Sequence, residues 1–384
     1  MHHTISIYQR PAQGSAFVRQ YPIFRYRHRI SAIGGFDTAS CQIIAPSRIS
    51  ADLFLEQHLG AFVKVYADNP AMPCWEGFIN RITTGDYTMS LDEMANRVKV
   101  QYTYPSLPTT NQIITAVNNT DSQALFGIKE DTLELGLMWG TSDDRANDLR
   151  DAALAARAWP QKSVTRGEPG VINMELLGFY HTLEWETYTS TATTITTYSP
   201  WLTGVLLPAL ANGATFFDNT ITSEIDTNSG VRRYNEHGNR SVWEVLTKQA
   251  EAGDGAIPWV IGITPSRFSD GKRALYYRAM NTDIEYTARL SDGHRPRNLY
   301  GRLVSPWDVR PDRGIRITDT LLAWNGLGDN PAESWISYVE YDAESQGVKW
   351  YSSDSTEVEA AFQLHHTSKA TGKRFGAAPR LNSV

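Results

Sequence analysis

Two glutamates, Glu184 and Glu186, are the residues of this 384-residue chain whose spacing best fits catalysis. The segment from Val171 to Tyr188 is predicted to be strand-like with a turn near Gly178, so Glu184 and Glu186 would both lie on the strand after the turn. Residues two apart on a strand share a face, with Cα atoms about 6.5 Å apart. That distance is compatible with the roughly 6.5–9.5 Å between the carboxyl groups of inverting glycosidases. However, Trp185, the better sugar-stacking group, would point to the opposite face. A hydrolase is therefore an alternative interpretation and not the leading one.

Other catalytic and metal-binding patterns are missing from the sequence. It contains no His-Glu-x-x-His and no Gly-x-Ser-x-Gly motif, and Thr371–Arg374 lacks the glycine and the hydroxyl residue of a phosphate-binding loop. His365 and His366 are adjacent, so they cannot easily face one ion together. Cys41 and Cys74 make no zinc pattern, and the sequence leaves open whether they pair. We therefore predict no enzymatic activity, no metal and no cofactor.

Composition narrows the class of protein. Hydrophobic residues make up 41% and charged residues 20% of the chain, values typical of an ordered, soluble protein. The formal net charge of −6 argues against broad adhesion to DNA or to anionic membranes. No apolar run approaches the roughly 18 residues needed for a membrane-spanning helix. We expect no membrane-spanning segment.

The stretch from Cys74 to Pro105 carries the clearest structural pattern. A predicted strand from Trp75 to Ile82 is followed by a turn, and Ser90–Met94 could form a short helical crossing capped by Ser90. The closing strand, Val98 to Tyr104, alternates apolar and polar residues more sharply than any other segment. Such alternation predicts a strand with one buried face.

This stretch resembles the first barrel of the baseplate hub or tail-tip proteins of tailed phages. Its pattern is Trp-x-Gly-x-Ile followed by Ser-Leu-x-x-Met-x-Asn-x-Val-x-Val-x-Tyr, carried by Trp75, Gly77, Ile79, Leu91, Met94, Asn96, Val98, Val100 and Tyr102. A second short signature runs from Ser122-Gln123 through Phe126-Gly127-Ile128-Lys129-Glu130, and Gly178–Leu183 resembles a third, Gly-x-Tyr-x-Thr-Leu. The resemblance implies that the nine motif residues pack a tail-tube-like barrel.

The expected fold class is a β-rich α+β fold with two tail-tube-like β-barrels and a central helical region. Helices are predicted at four places: Ser50–Leu59, Thr141–Trp159, Trp201–Ala211 and Ser241–Ala252. The Thr-, Asn- and Pro-rich segment Pro105–Asp121 is predicted to be a connecting loop. The predicted domains are residues 1–125, a first tube-like barrel; 126–200, a helix and strands that complete or bridge the barrels; 201–255, a helical insertion; 256–355, a second β-rich barrel domain; and 356–384, a basic C-terminal arm.

Two basic segments are candidate interfaces. Arg25, Arg27 and Arg29 alternate along a predicted strand, so this face could meet phosphate or an acidic partner, or could be a solvated face with salt bridges. Lys369, Lys373 and Arg374 lie in the C-terminal arm, which is either a docking arm or a frayed terminus. Both interpretations of each segment stay open in the sequence.

The resemblance implies a structural virion protein, the hub at the distal end of a phage tail. Such a hub is a homo-oligomer, expected here to be a trimer, and it links the hexameric tail tube to a trimeric tip or spike. Its expected partners are a distal tail or tail-tube protein, a tip, spike or fibre protein, and the genomic DNA that passes transiently through its lumen. Its expected location is the virion tail tip or baseplate, assembled in the host cytoplasm. The alternatives are a tail-tip cell-wall hydrolase and a receptor- or carbohydrate-binding tip module.

Overall fold

The structure is a computed structural model that describes residues 3–10, 16–67, 73–104, 107–138, 143–188, 197–228, 240–253, 259–264, 273–280, 283–289, 296–311, 313–318, 332–345 and 347–351. The strands are β1 His3–Tyr8, β2 Phe17–Ser31, β3 Gly34–Ile44, β4 Phe62–Tyr66, β5 Trp75–Thr83, β6 Tyr87–Ser90, β7 Arg97–Tyr104, β8 Leu107–Asn118, β9 Glu130–Leu137, β10 Lys162–Val164, β11 Val171–Leu177, β12 Trp259–Ile263, β13 Leu275–Ala279, β14 Ile284–Arg289, β15 Arg297–Asn298, β16 Gly314–Thr318, β17 Ala332–Trp335, β18 Tyr338–Asp342 and β19 Gly347–Tyr351. The helices are α1 Arg48–His58, α2 Thr120–Phe126, α3 Asp144–Arg157, α4 Tyr198–Trp201, α5 Leu207–Ala209, α6 Gly213–Phe216 and α7 Val242–Ala252, with a π-helical turn Leu202–Leu206 and 3-10 helices Phe179–Trp185 and Pro306–Asp308.

Six antiparallel strands close into a barrel. Around the ring they run β1, β2, β3, β11, β5 and β4, and the ring is complete because β4 pairs with β1. Each strand has buried apolar residues at alternate positions, such as Ile5 and Ile7 on β1 and Ile172, Met174 and Leu176 on β11. This period of two places one face of every strand inside the barrel. The β-rich prediction is confirmed, with one closed barrel.

The hydrophobic core continues from the barrel to the helices. β5 is buried on both faces, and its Phe78 ring contacts Trp185 and Phe216 at centroid distances of 5.4 and 6.2 Å. Phe179 contacts the same ring at 6.1 Å. Phe179 and Trp185 belong to the 3-10 helix after β11, and Phe216 belongs to α6. These two helices therefore cover one outer face of the barrel at β5.

The strands expected to form a second barrel are divided between two sheets. β12 and β13 extend the first sheet through a parallel pairing of β12 with β3, and β18 and β19 extend it through β2. β14, β15, β16 and β17 form a separate four-stranded sheet. Neither a second closed barrel nor a central helical region is therefore confirmed in the ranges given above.

The closing strand of the stretch from Cys74 to Pro105 does not belong to the barrel. β7 lies in a three-stranded sheet with β8 and β9, and α3 packs against it. The prediction of a loop at Pro105–Asp121 is wrong, because β8 occupies Leu107–Asn118. Val98 is opposite Val117 and Val100 is opposite Ile114. Pairing with an apolar neighbour thus stabilises a strand whose own composition is polar.

The short helical crossing at Ser90–Met94 is also not formed. The residues after Ser90 form a turn, in which the Ser90 hydroxyl accepts a hydrogen bond from the Asp92 backbone N–H at 3.0 Å. The Asp92 carboxylate accepts hydrogen bonds from Asn80 and Arg81 of β5, at 2.7 and 2.5 Å. These contacts hold the segment flat against β5, so the capping-box prediction is wrong.

The predicted helices are confirmed in three of four places. α1, α3 and α7 occupy the expected segments, and Ser241 caps α7 by accepting from the Glu244 N–H at 3.1 Å. α1 begins earlier than expected, because Ser47 and not Ser50 is its N-cap. The segment Trp201–Ala211 is helical only in short turns that include a π-helical one. β11 ends at Leu177, in agreement with the turn predicted near Gly178, but the segment Phe179–Trp185 after it is a 3-10 helix and not a strand.

Cys41 and Cys74 are both buried free thiols. Burial raises the pKa of Cys74 to about 12 and raises that of Cys41 as well. In the part of the chain covered by the structure, no helix is long and apolar enough to cross a membrane. Among the same residues no group of three or more His, Cys, Asp or Glu side chains is arranged to hold a metal ion.

Candidate functional site

The nine motif residues lie in the interior. Trp75, Ile79, Leu91, Met94, Asn96, Val98, Val100 and Tyr102 are all almost completely buried, and Gly77 is buried with them. A Cβ at Gly77 would lie 2.1 Å from the Leu177 carbonyl oxygen. The motif therefore provides packing and close backbone approach, and it exposes no surface for chemistry.

Asn96 connects the barrel side of the molecule to the second short signature. Its side-chain amide donates to the Gly127 carbonyl at 2.8 Å, and its side-chain oxygen accepts from the Lys129 N–H at 2.8 Å. Asn212 holds the same segment by accepting from the Ile128 N–H and donating to the Ile128 carbonyl, at 2.8 and 2.6 Å. Two buried amides thus satisfy the backbone of the Gly127–Lys129 segment.

The glutamate pair is separated. Glu186 is buried, and its carboxylate accepts the backbone N–H groups of Ala211 and Asn212 at 2.8 and 2.7 Å. Burial raises its pKa, although these hydrogen bonds oppose the shift. Glu184 lies on the 3-10 helix and contacts His181 at 3.3 Å. The prediction that the two carboxylates share a strand face is wrong, because the segment Phe179–Trp185 forms a 3-10 helix.

The three arginines of β2 form ion pairs within the chain. Arg25 lies 3.8 and 3.6 Å from Glu168 and Glu344, and Arg27 lies 3.0 Å from Asp342. Arg29 pairs with Asp37 at 3.1 Å, and its guanidinium lies 4.0 Å from the Tyr338 ring centroid. These contacts favour the salt-bridge interpretation of the strand over a phosphate-binding face. Lys369, Lys373 and Arg374 lie outside the described residues.

A cluster around Asp37 joins β3 to the 3-10 helix. The Asp37 carboxylate accepts from the Tyr180 hydroxyl at 2.6 Å and from His181 Nε2 at 3.1 Å. Burial alone would lower the pKa of His181, but hydrogen bonds to Asp37 and Glu184 outweigh it and raise the pKa to about 9. Burial alone would raise the pKa of Asp37, but hydrogen bonds from His181 and Tyr180 hold it below its ordinary value. His181 is therefore a cation at neutral pH.

We expect the contribution of His181 to the free energy of unfolding to be lost as the pH rises towards about 9. The pKa of His181 is about 9 in the folded protein, against about 6.5 for an unperturbed histidine. The folded state thus holds this proton more tightly, so its stabilisation is complete below about pH 6.5 and is lost between that value and about pH 9. The total effect is up to roughly 3 kcal/mol, measured from urea unfolding at several pH values in that range.

Two variants test the assignment to His181. His181→Gln should flatten the pH dependence over this range. The matched control is His58→Gln, because burial lowers the pKa of His58 to about 4 and leaves it neutral throughout. An unchanged slope in His181→Gln would contradict the assignment.

One rim of the barrel carries an exposed apolar surface formed by α1 and the β6–β10 strand pair, which we call the helix–ribbon surface. Arg48 of α1 forms an ion pair at 2.7 Å with Asp86, the residue just before β6, and Glu56 of α1 forms one at 3.3 Å with Lys162 of β10. These ion pairs hold the helix beside the ribbon.

The same surface exposes three large aliphatic side chains. Ile49 and Leu53 are 75% and 50% exposed and lie one turn apart on α1, while Val164 of β10 is 86% exposed. Lys162 and Val164 are two apart on β10, so they share the face that meets α1. A helical wheel could have placed Ile49 and Leu53 on one face of α1, because they are four residues apart in the sequence. The buried side chains of this helix include Phe54 and Leu55.

A second exposed apolar group lies at the turn after β15. Leu299 and Tyr300 are 65% and 89% exposed. The Asn298 side-chain oxygen accepts the N–H groups of Tyr300 and Arg302, at 3.0 and 3.1 Å, which fixes the turn. The backbone that carries Leu299 and Tyr300 is therefore held in place by hydrogen bonds to the Asn298 side chain.

Comparison with models of known protein families and with curated protein sequences found no match.

Proposed function

We propose that this protein is a structural hub at the distal end of a phage tail, or of the tail of a phage-like particle. The observation that carries the proposal is the closed six-stranded antiparallel barrel together with the exposed aliphatic side chains of the helix–ribbon surface. Exposed apolar side chains that cluster on one surface mark contacts with other proteins, whereas single ones do not. The resemblance of the Trp75–Tyr102 stretch to hub proteins supports the same function.

The finer proposal is a homotrimer in which each chain supplies two tube-like barrels. Three such chains would form a pseudo-sixfold ring between a hexameric tail tube and a trimeric tip or spike. The net charge of −6 and the ion pairing of Arg25, Arg27 and Arg29 fit a lumen that lets DNA pass without tight binding.

A receptor-recognising tip is the second candidate. It is favoured by the ordered turn that exposes Leu299 and Tyr300, since rigid aromatic anchors are typical of recognition surfaces. The cell-wall hydrolase receives no such support, because its proposed glutamate pair is separated in the fold. Binding of the full chain to a glycan array would favour the recognition function over the hub.

The hub proposal is tested by the mass of the protein in solution together with its symmetry in negative stain. A threefold ring with a pseudo-sixfold lumen is the expected result. A stable monomer at micromolar concentration would contradict the proposal. A true sixfold ring would indicate a distal tail protein instead.

We expect Ile49→Arg and Val164→Arg each to weaken assembly. A buried apolar anchor at an interface contributes about 1–3 kcal/mol, so the association constant should fall about tenfold to a hundredfold. The change is measured by light scattering at several protein concentrations. Leu137→Arg is the matched control, because Leu137 is 54% exposed on β9 in a different sheet. Equal weakening by all three variants would contradict a specific role for the helix–ribbon surface.

A further inference from the structure

The turn after β15 spans residues 298–303 and lies at the edge of the four-stranded sheet. β15 is the last strand of that sheet and pairs with β14. The chain returns at Leu303, which forms a β-bridge with Arg297. The turn is therefore a closed loop at the sheet edge, outside the barrel.

Half of the residues in this turn expose large apolar side chains. Leu299, Tyr300 and Leu303 are 65%, 89% and 55% exposed. Single exposed apolar side chains are ordinary on a protein surface, whereas several that lie together mark a contact site. The turn therefore carries apolar surface that a partner can bury.

The backbone of the turn satisfies most of its own hydrogen bonds. The Asn298 N–H donates to the Arg302 carbonyl, and the Gly301 N–H donates to the Asn298 carbonyl, both at 2.9 Å. The Asn298 side-chain oxygen accepts the N–H groups of Tyr300 and Arg302. Four of the six N–H groups thus have partners within the turn. A backbone of this kind can enter an apolar medium at low cost, and it offers few free donors to a protein partner.

The polar side chains of the turn suit a phospholipid head group. Residues 296–304 contain Arg297 and Arg302 and no carboxylate. Arg297 holds the turn by donating to the Gly301 carbonyl at 3.0 Å. Arg302 is exposed and forms no ion pair with any residue that the structure describes. A long arginine can keep its guanidinium at lipid phosphates while its neighbours enter the acyl region, and tyrosine favours the same interface.

We propose that the turn after β15 inserts into the interface of a phospholipid membrane and anchors the protein there reversibly. Leu299, Tyr300 and Leu303 would enter the boundary between head groups and acyl chains, and Arg302 would stay at the phosphates. The net charge of −6 opposes adsorption of the chain as a whole, so the contact is confined to this turn. The inference goes beyond the proposed hub function and does not depend on it.

The first test is flotation of the full chain with two kinds of vesicle. One contains phosphatidylcholine alone, and the other contains equal parts of phosphatidylcholine and phosphatidylglycerol. We expect saturable binding to both, about fivefold tighter to the mixed vesicles at low salt, because Arg302 is attracted to anionic lipid. High salt should reduce the difference between the two, since exposed charges are screened.

Variants connect the binding to the turn. Leu299→Ser and Tyr300→Ser should each weaken binding to both vesicles about tenfold, because each removes an apolar anchor. Arg302→Gln should weaken binding to the mixed vesicles alone. The matched control is Leu137→Ser, which removes a side chain that is 54% exposed on β9 and should leave binding unchanged. Thermal unfolding verifies that each variant is folded.

A fluorescence measurement distinguishes insertion from adsorption. Tyr300→Trp keeps an aromatic anchor, and its added emission should be quenched by vesicles of phosphatidylcholine that is brominated near the head-group end of its acyl chains. The proposal is overturned if the protein binds neither vesicle at millimolar lipid, if the serine variants bind like the unsubstituted protein, or if bound Tyr300→Trp is not quenched. Glycan-array binding that Tyr300→Ser abolishes, without any vesicle binding, would also overturn it in favour of receptor recognition.

Discussion

Gly178→Ala is expected to lower the free energy of unfolding by about 3 kcal/mol or more. A Cβ at Gly178 would lie 1.6 Å from the Phe36 carbonyl oxygen and 2.6 Å from the Phe36 carbonyl carbon. The obstacle is backbone, so no side chain can rotate away to make room. The Gly178 N–H also donates to the Asp37 carbonyl at 2.7 Å. The clash would push the two segments apart and weaken this hydrogen bond.

Urea unfolding followed by circular dichroism measures this effect. The matched control is Gly204→Ala, because a Cβ at Gly204 meets nothing within 4 Å. The control should be neutral or slightly stabilising, since alanine favours helical backbone over glycine. A loss below about 1 kcal/mol in Gly178→Ala would contradict the close contact between β3 and the start of the 3-10 helix.

The second large effect is expected at a buried ion pair. Glu76 of β5 is almost completely buried, and Arg273 Nε lies 3.2 Å from its carboxylate, while Lys64 Nζ lies at 4.0 Å. The Arg273 guanidinium also lies 3.9 Å from the Phe62 ring centroid and 4.0 Å from that of Phe179. Arg273 lies two residues before β13 and therefore connects the start of this strand to the barrel through charge and through stacking.

Arg273→Met should destabilise the fold by about 3–5 kcal/mol, because it removes the nearest cation from a buried carboxylate. The double variant Glu76→Leu with Arg273→Met should recover part of this loss, since no buried charge then depends on the missing arginine. Chemical unfolding of the two variants measures both effects.

The exposed pair of Glu244 and Lys248 provides the control. These residues lie one helical turn apart on α7 at 2.7 Å, and both side chains are about half exposed. Lys248→Met should therefore cost less than about 1 kcal/mol. If Arg273→Met costs no more than this control, the buried pair does not stabilise the fold as argued.

Local sequence signals predicted elements well where the physical cause is itself local. Ser241 caps α7 because its hydroxyl reaches an N–H three residues ahead, which needs no other part of the chain. The alternation of β7 similarly follows from the geometry of a strand. In contrast, the polar composition of β8 gave no sign of the apolar partner strand that stabilises it.

The candidate sites depended on pairings that span long distances in the chain. The spacing of Glu184 and Glu186 predicted neighbours on one face, but Gly178 starts a 3-10 helix where the chain approaches Phe36. Arg29 and His181 meet at Asp37 although about 150 residues separate them in the chain. The pocket lined by Arg278, Arg310 and Arg313 likewise forms only when five separate segments of the chain come together. None of these contacts leaves a signal in the local pattern.

The sequence by itself determined that the protein is rich in strands and that helices lie at α1, α3 and α7. It also determined which residues of the Trp75–Tyr102 stretch form the apolar face of a strand. Only the tertiary structure decided that six strands close into a barrel, that β7 lies outside it, and that Arg25, Arg27 and Arg29 are paired. The physical reason is that periodicity and capping are set by near neighbours, whereas strand partners, ion pairs and cavities are set by residues far apart in the chain.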